Sequence, residues 1–188
     1  MKRYFVCFLE TDTMKLSKKL IIFLDILALL LLIGLDQFTK DLAVRYLKNQ
    51  PAVPIWQGVL ELNYLENKGA AFGMLKNQKW FFIFIAIVIL GIICYILWKT
   101  PNQKKYITLH ALLTLIAAGA IGNMIDRIRF DYVVDFIYFK LINFPIFNVA
   151  DIYVTCCTIA IVILLLFVYK EEDLDFINFK KKSFKELK

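Results

Sequence analysis

The chain has 188 residues, 60% of them hydrophobic, and a formal net charge of +7; its mean hydropathy is +0.64. That apolar share exceeds what a water-soluble domain of this length buries, so an ordinary soluble globular fold is excluded. The four cysteines, Cys7, Cys94, Cys156 and Cys157, have neither zinc-finger spacing nor the look of a disulfide framework, and read as packing residues.

Residues 1–19 are polar and basic, with a second methionine at Met14, and are expected to form a cytoplasmic N-terminal segment. The apolar run Leu20–Leu35 follows Lys18 and Lys19. No small-x-small cleavage site comes after Leu35, so the run reads as a retained first membrane span and not a secretory signal. Asp25, inside it, is expected to be solvated or paired with Lys19. Beyond Leu35 the helix should continue into water, with Asp36–Lys40 and Asp41–Arg45 as i,i+4 surface pairs and Phe38, Leu42 and Tyr46 on one apolar stripe. Pro51 and Pro54 stop it. From Ile55 to Asn67, Leu60, Leu62 and Tyr64 alternate with Glu61, Asn63 and Leu65, which predicts a short strand pair. Asn67-Lys68-Gly69 reads as a turn, and Ala70–Gly73 as a small-residue surface where another chain can approach.

The second span runs between Trp80 and Trp98, roughly 27 Å apart on a helix and close to the hydrocarbon thickness, which suits interfacial anchors. A short linker, Lys99–Lys105 with Pro101, leads to the third span, Tyr106–Ile125. This span ends in the small residues Ala118, Gly119 and Gly122, a face for close helix approach. Asn123 and Arg127 share one face just beyond it. Tyr132–Phe139, aromatic and β-branched around a lone Asp135, is expected to lie in the membrane interface. Pro145 precedes the fourth span, Ile152–Tyr169, with Asn148 and Asp151 on its first turn.

These elements predict an α-helical integral membrane protein: four transmembrane helices over residues 20–170, with a small β-rich cradle on the outer face between helices 1 and 2. Residues 171–188 are expected to form a cytoplasmic tail whose basic run, Lys180–Lys182, suits anionic lipid and not nucleic acid. Most basic residues fall at the two ends and in the Lys99–Lys105 linker, so the positive-inside rule puts both termini in the cytoplasm. Asn123, Asp126, Arg127, Asp135, Asn148 and Asp151 then collect at the outer boundary. Ionisable groups at membrane depth cost roughly 2.5–3.5 kcal/mol each at a helix centre, so such a cluster points to function.

Elimination narrows the chemistry. The serines, Ser17 and Ser183, and the single histidine, His110, all belong to the inner side of this arrangement, which leaves serine–histidine, cysteine–histidine and zinc-peptidase sites unsupported. His110 reads as a packed or interfacial residue. What remains is carboxylates: Asp36, Asp126, Asp135 and Asp151. Two of them at ~4 Å repel by about 4 kcal/mol at an effective dielectric near 20, which keeps one protonated near neutral pH. The ionised member can activate water while the other hydrogen-bonds a peptide carbonyl. Asp135 and Asp151 are the preferred pair, each being an isolated acid in an apolar stretch, whereas Asp126 beside Arg127 and Asp36 facing Lys40 look structural. A proton-coupled transporter is the rival reading, though the acids gather at one end and not at mid-depth. A third reading is metal-assisted lipid headgroup chemistry on Asp126, Asp131 and Asp135.

Five segments together carry a resemblance: Asp36-Gln37-Phe38-Thr39-Lys40, Asn67-Lys68-Gly69-Ala70-Ala71-Phe72, Gly122-Asn123-Met124-Ile125-Asp126-Arg127, Val133-Val134-Asp135-Phe136 and Phe147-Asn148-Val149-Ala150-Asp151. In order and spacing they resemble the bacterial lipoprotein signal peptidases (signal peptidase II), over roughly residues 16 to 170. The resemblance implies an aspartic peptidase of the bacterial cytoplasmic membrane that removes signal peptides from prolipoproteins, cutting before a diacylglyceryl-modified cysteine. It implies Asp135 and Asp151 as the catalytic dyad, and Asn123, Arg127 and Asn148 as residues orienting dyad or substrate. Asp36, Lys40, Asn67 and Gly69 become supporting site residues, and the strand region a cradle for the substrate. It also implies sensitivity to globomycin-type cyclic peptides, a monomer, contact with membrane lipid, and neither metal nor organic cofactor. Ala118, where glycine is common, and Ile152, where serine is common, depart from the family pattern.

Overall fold

The computed structural model describes residues 17–69, 75 and 77–177. The expectation for Ala70–Gly73 therefore lies outside the described residues. Four long helices carry the molecule: α1 (Lys18–Leu47), α2 (Lys79–Lys99), α3 (Ile107–Phe130) and α4 (Val149–Phe167). Each is long and apolar enough to cross a membrane. Helix α3 is the central one, packed against α1, α2 and α4. It allows this through its small residues: Ala118 is fully buried, and a Cβ added at Gly119 would stand 2.5 Å from the Ala150 carbonyl oxygen of α4. One added at Gly122 would overlap Asp36 Oδ2 of α1. The small-residue face is thus a double groove, one side for each neighbour.

A three-stranded antiparallel sheet sits at one end of the bundle, in the order β1 (Val53–Trp56), β2 (Leu60–Asn67), β3 (Val133–Phe139). Strands β1 and β2 meet at a tight turn that needs Gly58 at φ 75°. The expected strand pair is present, and the segment Tyr132–Phe139, expected only to lie in the membrane interface, supplies a third strand. Val133, Val134, Asp135 and Phe136 are all buried, and β3 pairs with β2 from Leu60↔Phe139 to Asn67↔Val133, with a bulge between Leu62 and Leu65. The cradle is therefore built from two connections, α1–α2 and α3–α4. Helix α3 ends because Asp131 turns to the left-handed region at φ 66°, its N–H bonding the Arg127 carbonyl at 3.2 Å and its carboxylate pairing with Lys79. Phe147 then bridges back to Ile137, with N–H···O contacts of 2.8 and 3.0 Å, so that the next residue, Asn148, starts α4 beside β3.

Trp80 and Trp98 stand exposed at opposite ends of α2, as expected of anchors. At the opposite end of the bundle from the sheet, the 3-10 helix Glu171–Ile177 folds back, with Tyr106 stacked on Tyr169 and edge-on to Phe176, and Lys105 paired with Asp173 at 2.6 Å. Two packing expectations are corrected. Cys94 and Cys156 are exposed and only Cys157 is buried among the described cysteines. Asp25 pairs with His110 Nδ1 at 2.7 Å instead of with Lys19.

Candidate active site

The last three turns of α1 expose Phe38, Leu42 and Tyr46, and bury Asp36, Lys40, Ala43 and Leu47. The apolar stripe faces outward and the charged one inward, which reverses the expectation of an Asp36–Lys40 surface pair. Asp36 is 0%, Lys40 3% and Asp126 1% exposed. Lys40 Nζ lies 2.9 Å from Asp36 Oδ2, 3.1 Å from Asp126 Oδ2 and 2.9 Å from Asn123 Oδ1, which uses all three of its N–H groups. Asp36 Oδ1 accepts from the Ala150 N–H at 3.0 Å, and Asp126 Oδ2 accepts from the Val134 N–H at 3.0 Å. Gln37 Nε2 reaches Asp126 Oδ1 at 2.9 Å and Asp36 Oδ2 at 3.2 Å. One ammonium between two carboxylates, with the remaining lone pairs filled by N–H groups, is the arrangement that makes buried charge tolerable. It ties α1, α3, β3 and α4 together. Asp126 turns away from Arg127, its sequence neighbour, and toward Lys40.

Asp135 and Asp151 sit above this hub. Asp135, in β3, is 1% exposed. Its Oδ1 accepts from Asn148 Nδ2 at 2.6 Å and its Oδ2 from Asn67 Nδ2 at 2.8 Å. Asp151 Oδ1 accepts from Asn123 Nδ2 at 2.8 Å, and Oδ2 from the Asn148 backbone N–H at 3.2 Å. Asn148 is the N-cap of α4. Its side-chain oxygen takes the Asp151 N–H at 3.0 Å while the Asp151 carboxylate takes its own N–H, a reciprocal capping box. The helix start thereby fixes one carboxylate directly and, through Asn148 Nδ2, the other. Burial, followed by the negative charge of Asp151, pushes the Asp135 carboxyl up to about 7, against the lowering effect of the two asparagine amides.

Arg127 lies over the Phe82 ring, 4.6 Å from its centroid, and its Nη2 points to the Gly69 carbonyl at 3.4 Å; the Gly69 N–H in turn bonds Asn67 Oδ1 at 2.9 Å, the expected turn. The acids open onto a cavity of about 400 Å³ with an apolar wall of Val133, Phe144–Phe147, Ile152, Thr155 and Cys156, and polar edges at Asn67, Gly69, Asn123, Arg127, Asp135 and Asp151. All nine sequence-named residues are thus in the cavity rim or the hub beneath it. Asp126, Asp131 and Asp135 do not gather: Asp126 is bound in the hub and Asp131 lies at the α3 end with Lys79. No group of three or more potential metal ligands occurs among the described residues. Sequence reading gave Gln37 no role. The signal was its place beside a carboxylate near a span end, where unfilled valences need an extra donor.

A bundle of four spanning helices whose cavity presents two aspartates is the architecture of a multi-pass membrane protein with a carboxylate-bearing site, and suits membrane peptidases that work with carboxylates. The chain belongs to the signal peptidase II family, whose model, described as Signal peptidase (SPase) II, matches residues 28–167. It is similar to the lipoprotein signal peptidase of Streptococcus pyogenes serotype M1, 41% identical over 150 residues that cover 80% of this chain and 95% of the relative. The protein of the same name from serotype M5 (strain Manfredo) is 40% identical over the same shares. Among solved structures, one titled a bacterial membrane enzyme structure at 1.9 Å has a TM-score of 0.70 at 33% identity, covering 79% of this chain and 96% of that one. Another, at 2.3 Å, has a TM-score of 0.68 at 32% identity, covering 77% and 88%. With four spanning helices, this family makes the chain a multi-pass bacterial membrane protein and a peptidase.

Proposed function

We propose that the protein removes the signal peptide from diacylglyceryl-modified prolipoproteins, cutting before the lipidated cysteine with water activated by Asp135 and Asp151. The observation that carries this reading is the pair of asparagine-held carboxylates at the rim of one cavity, with Asp135 disposed to keep a proton to about pH 7. With one proton shared by the pair, the ionised carboxylate takes a proton from water as its oxygen attacks the scissile carbonyl carbon. The protonated partner donates to the carbonyl oxygen, giving a neutral tetrahedral diol. Collapse breaks the C–N bond as a carboxyl proton passes to the leaving nitrogen and a diol hydroxyl gives its proton to the other carboxylate, so the pair is again left with one proton. Asn123, Asn148 and Asn67 hold the carboxylates, Asp36 and Lys40 hold Asn123 and the α4 start, and Arg127 with Gly69 forms the rim where a peptide backbone passes.

The apolar wall on α4, formed by Ile152, Thr155 and Cys156, continues into the exposed Ile159, so the cavity opens sideways. That suits a substrate whose signal segment and acyl chains stay in the bilayer. On this reading residues 20–170 form the peptidase domain, residues 1–19 and 171–188 flank it as cytoplasmic segments, and the sheet lies on the outer face of the cytoplasmic membrane. It acts as a monomer without a cofactor, and globomycin-type cyclic peptides occupy the same cavity. The test is cleavage of a diacylglyceryl-modified prolipoprotein in detergent with EDTA present. Wild type cuts, while Asp135→Asn and Asp151→Asn each lose roughly 10²–10⁴-fold or more in rate with unchanged folding, as expected for loss of a general acid–base group. Near-normal cleavage by either variant would remove that residue from the dyad.

A further inference from the structure

Helix α2 lends no side chain to the walls of the carboxylate cavity, yet one of its residues touches a group at the rim. The ring of Phe82, half-buried in the first turn of α2, lies 4.6 Å from the Arg127 guanidinium carbon, measured to the ring centroid. Arg127 shares that rim with Asp135 and Asp151. A guanidinium so placed would ordinarily turn its fork to a carboxylate in a bidentate pair. Among the described residues, however, no carboxylate forms an ion pair with Arg127. Its hydrogen bonds there are two long ones, Nη1 to the Asn123 carbonyl at 3.2 Å and Nη2 to the Gly69 carbonyl at 3.4 Å. Bonds of that length fix the group weakly, so the ring is the firmest thing it touches.

A ring attracts a cation through its quadrupole and brings no acceptor for the N–H groups. Two of the five guanidinium N–H groups are engaged by described carbonyls, which leaves three for a ligand. A second contact joins the same helix ends, for Lys79, three residues before Phe82, pairs with Asp131, four after Arg127. That pair is 27% and 70% exposed, so it holds the helices weakly and leaves Arg127 untouched. We infer that Phe82 is a positioning residue for the substrate. Its ring holds Arg127 away from the dyad, so that the unused N–H groups meet the peptide backbone at the rim; this rests on the function proposed above.

The full chain in detergent is assayed with a diacylglyceryl-modified prolipoprotein over a range of substrate concentrations. Phe82→Leu, which keeps an apolar side chain and loses the ring, raises KM roughly 5- to 30-fold and leaves kcat within about twofold. Phe82→Met carries the same test should Phe82→Leu fail to fold. Phe82→Tyr, which keeps the ring, keeps the wild-type KM. Lys79→Ala, which unties the same helix ends without touching Arg127, leaves KM unchanged. Affinity for uncut substrate, measured on the Asp135→Asn protein, is equally low with Arg127→Gln and with Arg127→Gln plus Phe82→Leu, because the ring acts only through the guanidinium. An unchanged KM on loss of the ring, an equal rise in Lys79→Ala or Phe82→Tyr, or a further loss of affinity in the double substitution would overturn the inference while the wild type still cuts. An inert wild type would overturn the function itself.

Discussion

Three asparagines hold the two carboxylates, and each is prevented from turning over. The Asn148 side-chain oxygen is occupied by the Asp151 N–H, that of Asn67 by the Gly69 N–H, and that of Asn123 by Lys40, so all three present their NH2 groups to the acids. Amide orientation, usually ambiguous, is here set by donors that cannot act as acceptors. These amides favour ionised carboxylates, burial favours the protonated form, and at Asp135 burial prevails. An acid whose pKa is about 7 in the fold and about 3.9 unfolded contributes stability that is complete below about pH 4 and lost as pH rises through 7. The Tm of the wild type should therefore fall between about pH 5 and pH 8, and that of Asp135→Asn, which has nothing to ionise at this position, should fall less. Calorimetry across that range checks it; parallel curves would place the shared proton on another group.

At the scale of elements, much of the molecule was legible in the sequence, and the misreadings share a cause. The four spans, the strand pair, the tryptophan positions, and the grouping of Asn123, Arg127, Asp135, Asn148 and Asp151 all follow from local pattern. The end of α1 did not, because in a membrane protein the charged stripe can be the buried one: Asp36 and Lys40, expected as a surface pair, are the packed face, and the apolar stripe of Phe38, Leu42 and Tyr46 is exposed. Strand β3 was missed because Val133 to Phe136 is buried at consecutive positions, which erases the period-2 signal, and because its partner β2 is distant in sequence. The Asp25–His110 pair joins two helices 85 residues apart, beyond any local reading. Where helices approach this closely, volume decides. Gly122→Ala would push a methyl group against the Asp36 carboxylate and is expected to destabilise the protein by about 1–3 kcal/mol while loosening the Lys40 hub. Gly91→Ala, where a Cβ meets nothing within 4 Å, is the control. Comparable Tm values for the two variants would show that the α1–α3 contact is softer than this.

For the whole molecule, the orientation proposed above makes the sheet end external and the aromatic knot of Tyr106, Tyr169 and Phe176 cytoplasmic. In a cysteine-free variant that still cleaves substrate, Leu141→Cys should react with a membrane-impermeant maleimide on intact spheroplasts, and Glu171→Cys only after permeabilisation. Both positions are exposed, so accessibility within the protein does not confuse the outcome. The reverse pattern would invert the molecule in the membrane.

The bond from the Ala150 N–H to Asp36 Oδ1 joins residues 114 positions apart. A ribosome makes α1 early and the two carboxylates late, Asp135 on β3 and Asp151 on the last span. Until α4 enters the bilayer, Asp36 lacks its closing donor, Asp135 lacks the amide of Asn148, and there is no second acid to share a proton. With the dyad proposed above, hydrolytic competence arrives with the final helix, and the nascent chain passes beside other newly inserted proteins without cutting them.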